Sequence, residues 1–210
     1  MIDVGLATLE AAKLDLTRGV RETSPNDGPA IREYLRPYGL QAPQNWCAVS
    51  VCHWMSEGCR DHSLTPPIAG SPAAQGVFAQ LLHAGLAVRY GAPGFQRALR
   101  AGNIIVWRRP SRGSWAGHLG LVLRDYDGGG IIHTLEGNSG KYGDRVAEMK
   151  RPRTDSKIIG LGQLRDVQLT ETDEEPVTLP SLRTDEIAWI EDAFKLSREE
   201  FLSLRDPHLE

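Results

Sequence analysis

NIIVWRRPSRGSWAGHLGLVLRDYDGGGIIHTLEGN, residues 103–138, is the stretch whose reading decides the fold. It holds three short runs rich in Ile, Val and Leu: Asn103 to Trp107, Leu119 to Leu123 and Ile131 to Leu135. Clusters of Gly and Pro bound each run, which is the signature of strands. Asp127-Gly128-Gly129-Gly130 supplies a hairpin turn between the last two runs. Residues Ile158 to Leu164 add a further candidate strand. Upstream the period is helical. Residues 3–19 carry Val4, Ala7, Ala11 and Leu14 at helix spacing behind Asp3, a good N-cap. Pro29 opens a short helix to Leu35, residues 45–58 form a largely apolar third helix, and Ser71-Pro72 opens a fourth that runs to Ala84. Helices first and strands afterwards predict an α+β fold, with N-terminal helices packed on an antiparallel β-sheet.

The 210 residues suit one domain with an appendage. We assign residues 1–168 to the main domain. An acidic, proline-containing linker follows at 169–182, around TETDEEPVTLP, and a helical tail at 183–210. In the tail, Ile187, Ile190 and Phe194 share one helical face, and Ser197 with Glu200 makes a capping box. The net charge of −3 argues against a nucleic-acid partner. The basic clusters Arg108-Arg109-Pro110-Ser111-Arg112 and Lys150-Arg151-Pro152-Arg153 read as solvated loops. Three cysteines, Cys47, Cys52 and Cys59, are not a disulfide framework. No apolar run approaches the ~20 residues of a membrane span. The N-terminus lacks the basic and apolar regions of a signal peptide, so an extracytoplasmic substrate implies another route of delivery.

A thiol is nucleophilic as its thiolate, and a helix N-terminus with a nearby imidazolium favours that form. Cys47 begins the third predicted helix; Cys52 lies mid-helix and Cys59 follows the helix end, where the dipole opposes a thiolate. Among the six histidines, His118 begins a strand and is flanked by Gly117 and Gly120, which permit close approach of a substrate or another backbone. His53 sits too far along the Cys47 helix, His62 is in a loop, His83 is near a helix end and His208 is near the terminus. A histidine base needs an acceptor on its other nitrogen. A hairpin turn over 127–129 puts residue 118 opposite 138, a longer odd loop puts it opposite 136, and an even loop puts it opposite Gly137. Alternation places Glu136 and Asn138 on one face and His133 on the other.

Trp46-Cys47-Ala48, Ala101-Gly102-Asn103-Ile104-Ile105-Val106-Trp107, Gly117-His118-Leu119-Gly120-Leu121-Val122 and Glu136-Gly137-Asn138 together resemble the CHAP family. These are cysteine- and histidine-dependent amidohydrolases and peptidases related to papain, many acting on peptidoglycan. Gly19-Val20-Arg21-Glu22 and Gly28-Pro29-Ala30-Ile31 extend the likeness, which runs over residues 5–165. The resemblance implies a papain-like CHAP domain with Cys47 as nucleophile, His118 as general base and then acid, and Glu136 orienting His118 with Asn138 beside it. It implies an oxyanion hole built on the Cys47 N–H, with Gln41, Gln44 or Asn45 as second donor. Trp46, Gln44, Trp115 and Gly117 are expected to contact substrate. Asn45, Ser50 and Asn103 depart from the proline, aromatic and aspartate common in relatives. Some relatives bind calcium through acidic residues ahead of the nucleophile; with Gln41, Gln44 and Asn45 there, no metal or cofactor is expected.

The function these residues imply is cleavage of a peptidoglycan amide, either between sugar and peptide or within the stem or cross-bridge, through an acyl-enzyme. A phage lysin or an exported bacterial effector fits: made in the cytoplasm, delivered to the wall by a non-classical route, and served by an inhibitor, immunity or delivery partner. Two alternatives are an intracellular amidase or peptidase acting on a protein or small amide, and an inactive binding module.

Overall fold

Asp3 accepts a hydrogen bond from the Leu6 N–H at 3.0 Å and starts the first helix, α1 (Val4–Arg18), which Gly19 ends in the left-handed conformation. The computed structural model describes residues 3–108, 117–165 and 167. Three further α-helices follow among these residues: α2 (Pro29–Leu35), with proline at its N-terminus, α3 (Cys47–Arg60) and α4 (Ala74–His83). Helix α4 starts later than expected because the Ser71 hydroxyl accepts the Ala73 N–H at 3.1 Å and holds Ser71-Pro72 in a turn.

Six strands among the described residues form one antiparallel sheet: β1 (Ala87–Arg89), β2 (Ile104–Arg108), β3 (Gly117–Val122), β4 (Ile131–Ser139), β5 (Arg145–Pro152) and β6 (Ile158–Gly162). Their order across the sheet is β1-β6-β2-β3-β4-β5. The architecture is therefore α+β, with helices preceding an antiparallel sheet as the sequence pattern predicts. Central strands read as continuous apolar runs because both faces are covered. Ile104, Val106, Leu119, Leu121 and Leu135 pack with Val51, Trp54 and Met55 of α3. On the opposite face, Ile105, Trp107, Val122, Ile132 and Leu161 pack with Phe95 and Leu99.

Two strands escape the sequence pattern. Strand β1 is only three residues long. Strand β5 places Lys150, Arg151 and Pro152 at the end of an edge strand paired with β4, which corrects their reading as a solvated loop. Arg108 closes β2 with its guanidinium on the Ser156 carbonyl at 3.1 Å. The rest of that basic cluster, Trp115, the linker and the C-terminal tail lie outside the described residues. Asn103 is buried; its amide donates to the Ala98 carbonyl and its oxygen accepts the N–H groups of Leu164 and Arg165. An aspartate could accept but not donate there. No helix among the described residues is long and apolar enough to cross a membrane.

Candidate active site

Helix α3 begins at Cys47, and its N-cap, Trp46, makes no side-chain capping bond. The first-turn N–H groups are thus left to favour negative charge at the helix start. Trp46 does not reach the surface, contrary to its expected role in substrate contact. It is fully buried, its Nε1 donates to Glu22 Oε1 at 2.9 Å, and Tyr34 lies beside its ring. An indole N–H can be buried where it finds such a partner, so Trp46 anchors the start of α3.

Cys47 is hydrogen-bonded to the His118 ring. On the ring's far side, Nε2 lies 2.7 Å from Glu136 Oε2. An ionised carboxylate only accepts, so Nε2 is the donor and Nδ1 is left for the thiol. The hairpin register pairs Leu121 with Leu135 and Val122 with Thr134, which corresponds to the alternative that sets position 118 level with 138. Yet His118 bonds Glu136, not Asn138. Glu136 stands across from Gly120, where a Cβ would lie 2.5 Å from Glu136 Cγ; the missing side chain makes room for the carboxylate to reach diagonally to His118.

Asn138 leaves the alternation. Its φ is 53°, and the β4–β5 register shifts between Glu136 and Ser139. Its amide donates to the Gly143 carbonyl at 2.7 Å and to Glu22 Oε1 at 3.1 Å, with Asn26 Oδ1 at 3.4 Å. Instead of joining His118, Asn138 ties β4 to the Glu22 carboxylate that also holds Trp46. Gly137 sits against α3: a Cβ there would meet Ser50 Oγ at 2.2 Å and Trp46 Cζ3 at 2.9 Å. This close approach brings β4 to the nucleophile helix. It also explains Ser50, which is fully buried at that contact and leaves no space for an aromatic ring.

Glu136 is fully buried and accepts from five donors. Oε1 takes the Thr134 hydroxyl and Arg151 Nε (2.8 Å); Oε2 takes His118, the Ser139 hydroxyl (3.0 Å) and Arg151 Nη2. Burial alone would raise its pKa, but the Arg151 fork and His118 outweigh it and hold the carboxyl at about 2. For His118, burial would lower the pKa; the hydrogen bonds and charges of Cys47 and Glu136 overcome it and raise the imidazole to about 9. The ring stays 21% exposed, so the pair meets solvent on the His118 side.

Arg151 is the site member that sequence reasoning missed. The one signal for it was the alternation in β5, which aims Glu148 and Lys150 one way and Met149 and Arg151 the other. Gln44 is exposed, as are Gln41 and Asn45. Gly117 is buried, with the Trp107 carbonyl and Ala74 Cβ filling the space a side chain would take. Cys52 and Cys59 are buried and burial pushes both thiols up, the reverse of activation. His133 is on the other face, against Arg124. Among the described residues, no group of three or more His, Cys, Asp or Glu side chains is placed to hold a metal ion.

An acidic carboxylate, a raised imidazole and a thiol at a helix start form a chain able to generate a nucleophile and move one proton. The sequence matches no protein-family model, no curated protein and no solved structure.

Proposed function

We propose that this chain is a papain-like CHAP domain and a cysteine-dependent hydrolase of amide bonds, with peptidoglycan as substrate. The observation that carries the reading is the Cys47–His118–Glu136 chain: a thiol at an uncapped helix start, hydrogen-bonded to an imidazole whose far nitrogen is held by a buried carboxylate. The choice of peptidoglycan rests on the resemblance of the Trp-Cys, Gly-His and Glu-Gly-Asn motifs.

The imidazolium and the helix N-terminus favour the Cys47 thiolate. Its sulfur attacks the amide carbonyl carbon, and the developing oxyanion takes the Cys47 N–H, with Gln41, Gln44 or Asn45 as the second donor. His118 gives its proton to the leaving nitrogen; the C–N bond breaks and a thioester remains. Neutral His118 then takes a proton from water as the hydroxyl adds to the thioester carbon. The C–S bond breaks, the acid leaves, and the thiolate–imidazolium pair is restored. Glu136 stays ionised throughout and keeps Nε2–H pointing at itself. The same chemistry serves an N-acetylmuramoyl-L-alanine amidase and a stem or cross-bridge endopeptidase, in a phage lysin or an exported effector.

Purified peptidoglycan incubated with wild type and with Cys47→Ala tests this, with products read by mass spectrometry. New fragments are expected from wild type alone, and their masses name the bond. No fragments from either protein would overturn the wall substrate and leave a protein or small amide in its place.

A further inference from the structure

Resting on the reading of Cys47, His118 and Glu136 as a hydrolase site, we propose that Arg151 is a positioning residue of that site. Its fork holds the Glu136 carboxylate ionised and aimed at His118, and so sets the pH range in which Cys47 is reactive. Arg151 bonds both carboxylate oxygens, Nε to Oε1 at 2.8 Å and Nη2 to Oε2. A two-point contact fixes the plane of a carboxylate as a single point charge cannot. The guanidinium is fixed in turn, 5.4 Å from the centre of the Trp107 ring, which itself lies 5.8 Å from the His118 ring. Strands β2 and β5 are three steps apart in the sheet, and Arg151 and Trp107 meet across the two strands between them.

Among the described residues, the charged and titratable groups around Glu136 are His118 from β3, Arg151 from β5, Cys47 from α3 beyond His118, and Asp155 acting on Arg151 from the β5–β6 connection. Without Arg151, two hydroxyls and His118 remain on a fully buried carboxylate. Burial then favours its neutral form, and it takes up a proton at higher pH. A neutral Glu136 no longer supports the imidazolium, and the reactive thiolate is lost with it.

Alkylation of Cys47 by iodoacetamide, followed by peptide mass spectrometry from about pH 4 to about pH 10, needs no substrate and reads this directly. Arg151→Met is expected to slow alkylation about ten-fold at neutral pH and to move the acid limb up by about one unit. Arg151→Lys, with charge but no fork, is expected to fall between. In a Glu136→Gln background, Arg151→Met is expected to add nothing, because its effect runs through the carboxylate. An acid limb left at the wild-type position, or the same slowing with and without Glu136, overturns the proposal. If Arg151→Met does not fold, Arg151→Lys decides: wild-type rate and limb would overturn it. Failure of the underlying reading looks different, because wild-type Cys47 would then alkylate no faster than Cys52 or Cys59.

Discussion

Among the described residues two carboxylates are buried, and their surroundings differ. Asp15, at the end of α1, is 6% exposed and Glu136 is fully buried. Asp15 Oδ2 accepts the Tyr34 hydroxyl and, at 2.8 Å, the Trp54 indole N–H; its cation, Arg18, lies at 3.6 Å on an exposed side chain. Burial, then the bond to Asp15, pushes the Tyr34 hydroxyl up, and burial lowers the neighbouring His53 imidazole, 4.5 Å from the Tyr34 ring. Tyr34 is therefore held in its neutral, protonated form, and His53 favours the neutral imidazole. Glu136 instead faces a histidine raised to about 9 that touches solvent and a thiol. A buried carboxylate therefore does not mark function by itself. What marks it is a partner that titrates, can be reached, and leads to a nucleophile.

Neutral isosteres offer the largest contrast. Glu136→Gln removes the charge that supports the His118 imidazolium and is expected to slow Cys47 alkylation at neutral pH by about 10²-fold. Asp15→Asn keeps an acceptor for Tyr34 and Trp54. It is expected to leave alkylation within about two-fold while lowering unfolding free energy by about 1–2 kcal/mol. Alkylation rates and urea unfolding on both variants check this. Equal slowing by the two would erase the distinction.

The pH dependence of stability sharpens it. The Glu136 pKa is depressed to about 2 from an ordinary 4.5, so its contribution is complete above about 4.5 and is lost as pH falls through about 2. His118 is protonated in both folded and unfolded states across that range and does not obscure the effect. In a Cys47→Ala background, which removes the thiol that faces His118, urea unfolding at a series of pH values should show a loss of about 1–3 kcal/mol between about pH 4.5 and pH 2. Adding Glu136→Gln should reduce that loss, leaving the part that comes from Asp27 and Asp144, whose carboxyls Arg32 and Arg145 also hold below the ordinary range. A profile unchanged by that substitution would mean that Glu136 is not held ionised by its partners.

The parts of the site that were legible in the sequence are those whose chemistry demands a place. A thiolate wants a helix start, and Cys47 alone of the three cysteines begins one. A base at the start of a glycine-flanked strand leads to His118; the parity of β4 leaves Glu136 and Asn138 both open, and the family resemblance points to Glu136. Arg151 was hidden because Lys150-Arg151-Pro152-Arg153 has the composition of a loop, and its partner lies on another strand, at a distance only the tertiary fold determines. Trp46 misled for a related reason: an aromatic beside a nucleophile suggests a groove wall, while its N–H is spent on Glu22 in the core. Strand β5 was missed because an edge strand with alternating charges has no apolar run to reveal it. Asn138 was paired with Glu136 by alternation, which holds only while the strand stays regular.

That last misreading has a clean test, with the smallest effect expected. Asn138 holds φ at 53°, a conformation glycine adopts freely and most residues resist. Asn138→Gly therefore keeps the backbone and removes only the amide that bonds Gly143 and Glu22. If Asn138 belongs with Trp46 in seating α3, the variant should lose about 1 kcal/mol of stability and alkylate Cys47 within about three-fold of wild type. If it belongs with Glu136 in orienting His118, the alkylation rate should instead fall alongside that of Glu136→Gln. Because Gly137 already presses β4 onto Ser50 and Trp46, losing one tether from Asn138 leaves the strand against the helix. The Cys47–His118 contact is therefore expected to survive, and the tether's loss to register in the unfolding curve rather than in the chemistry.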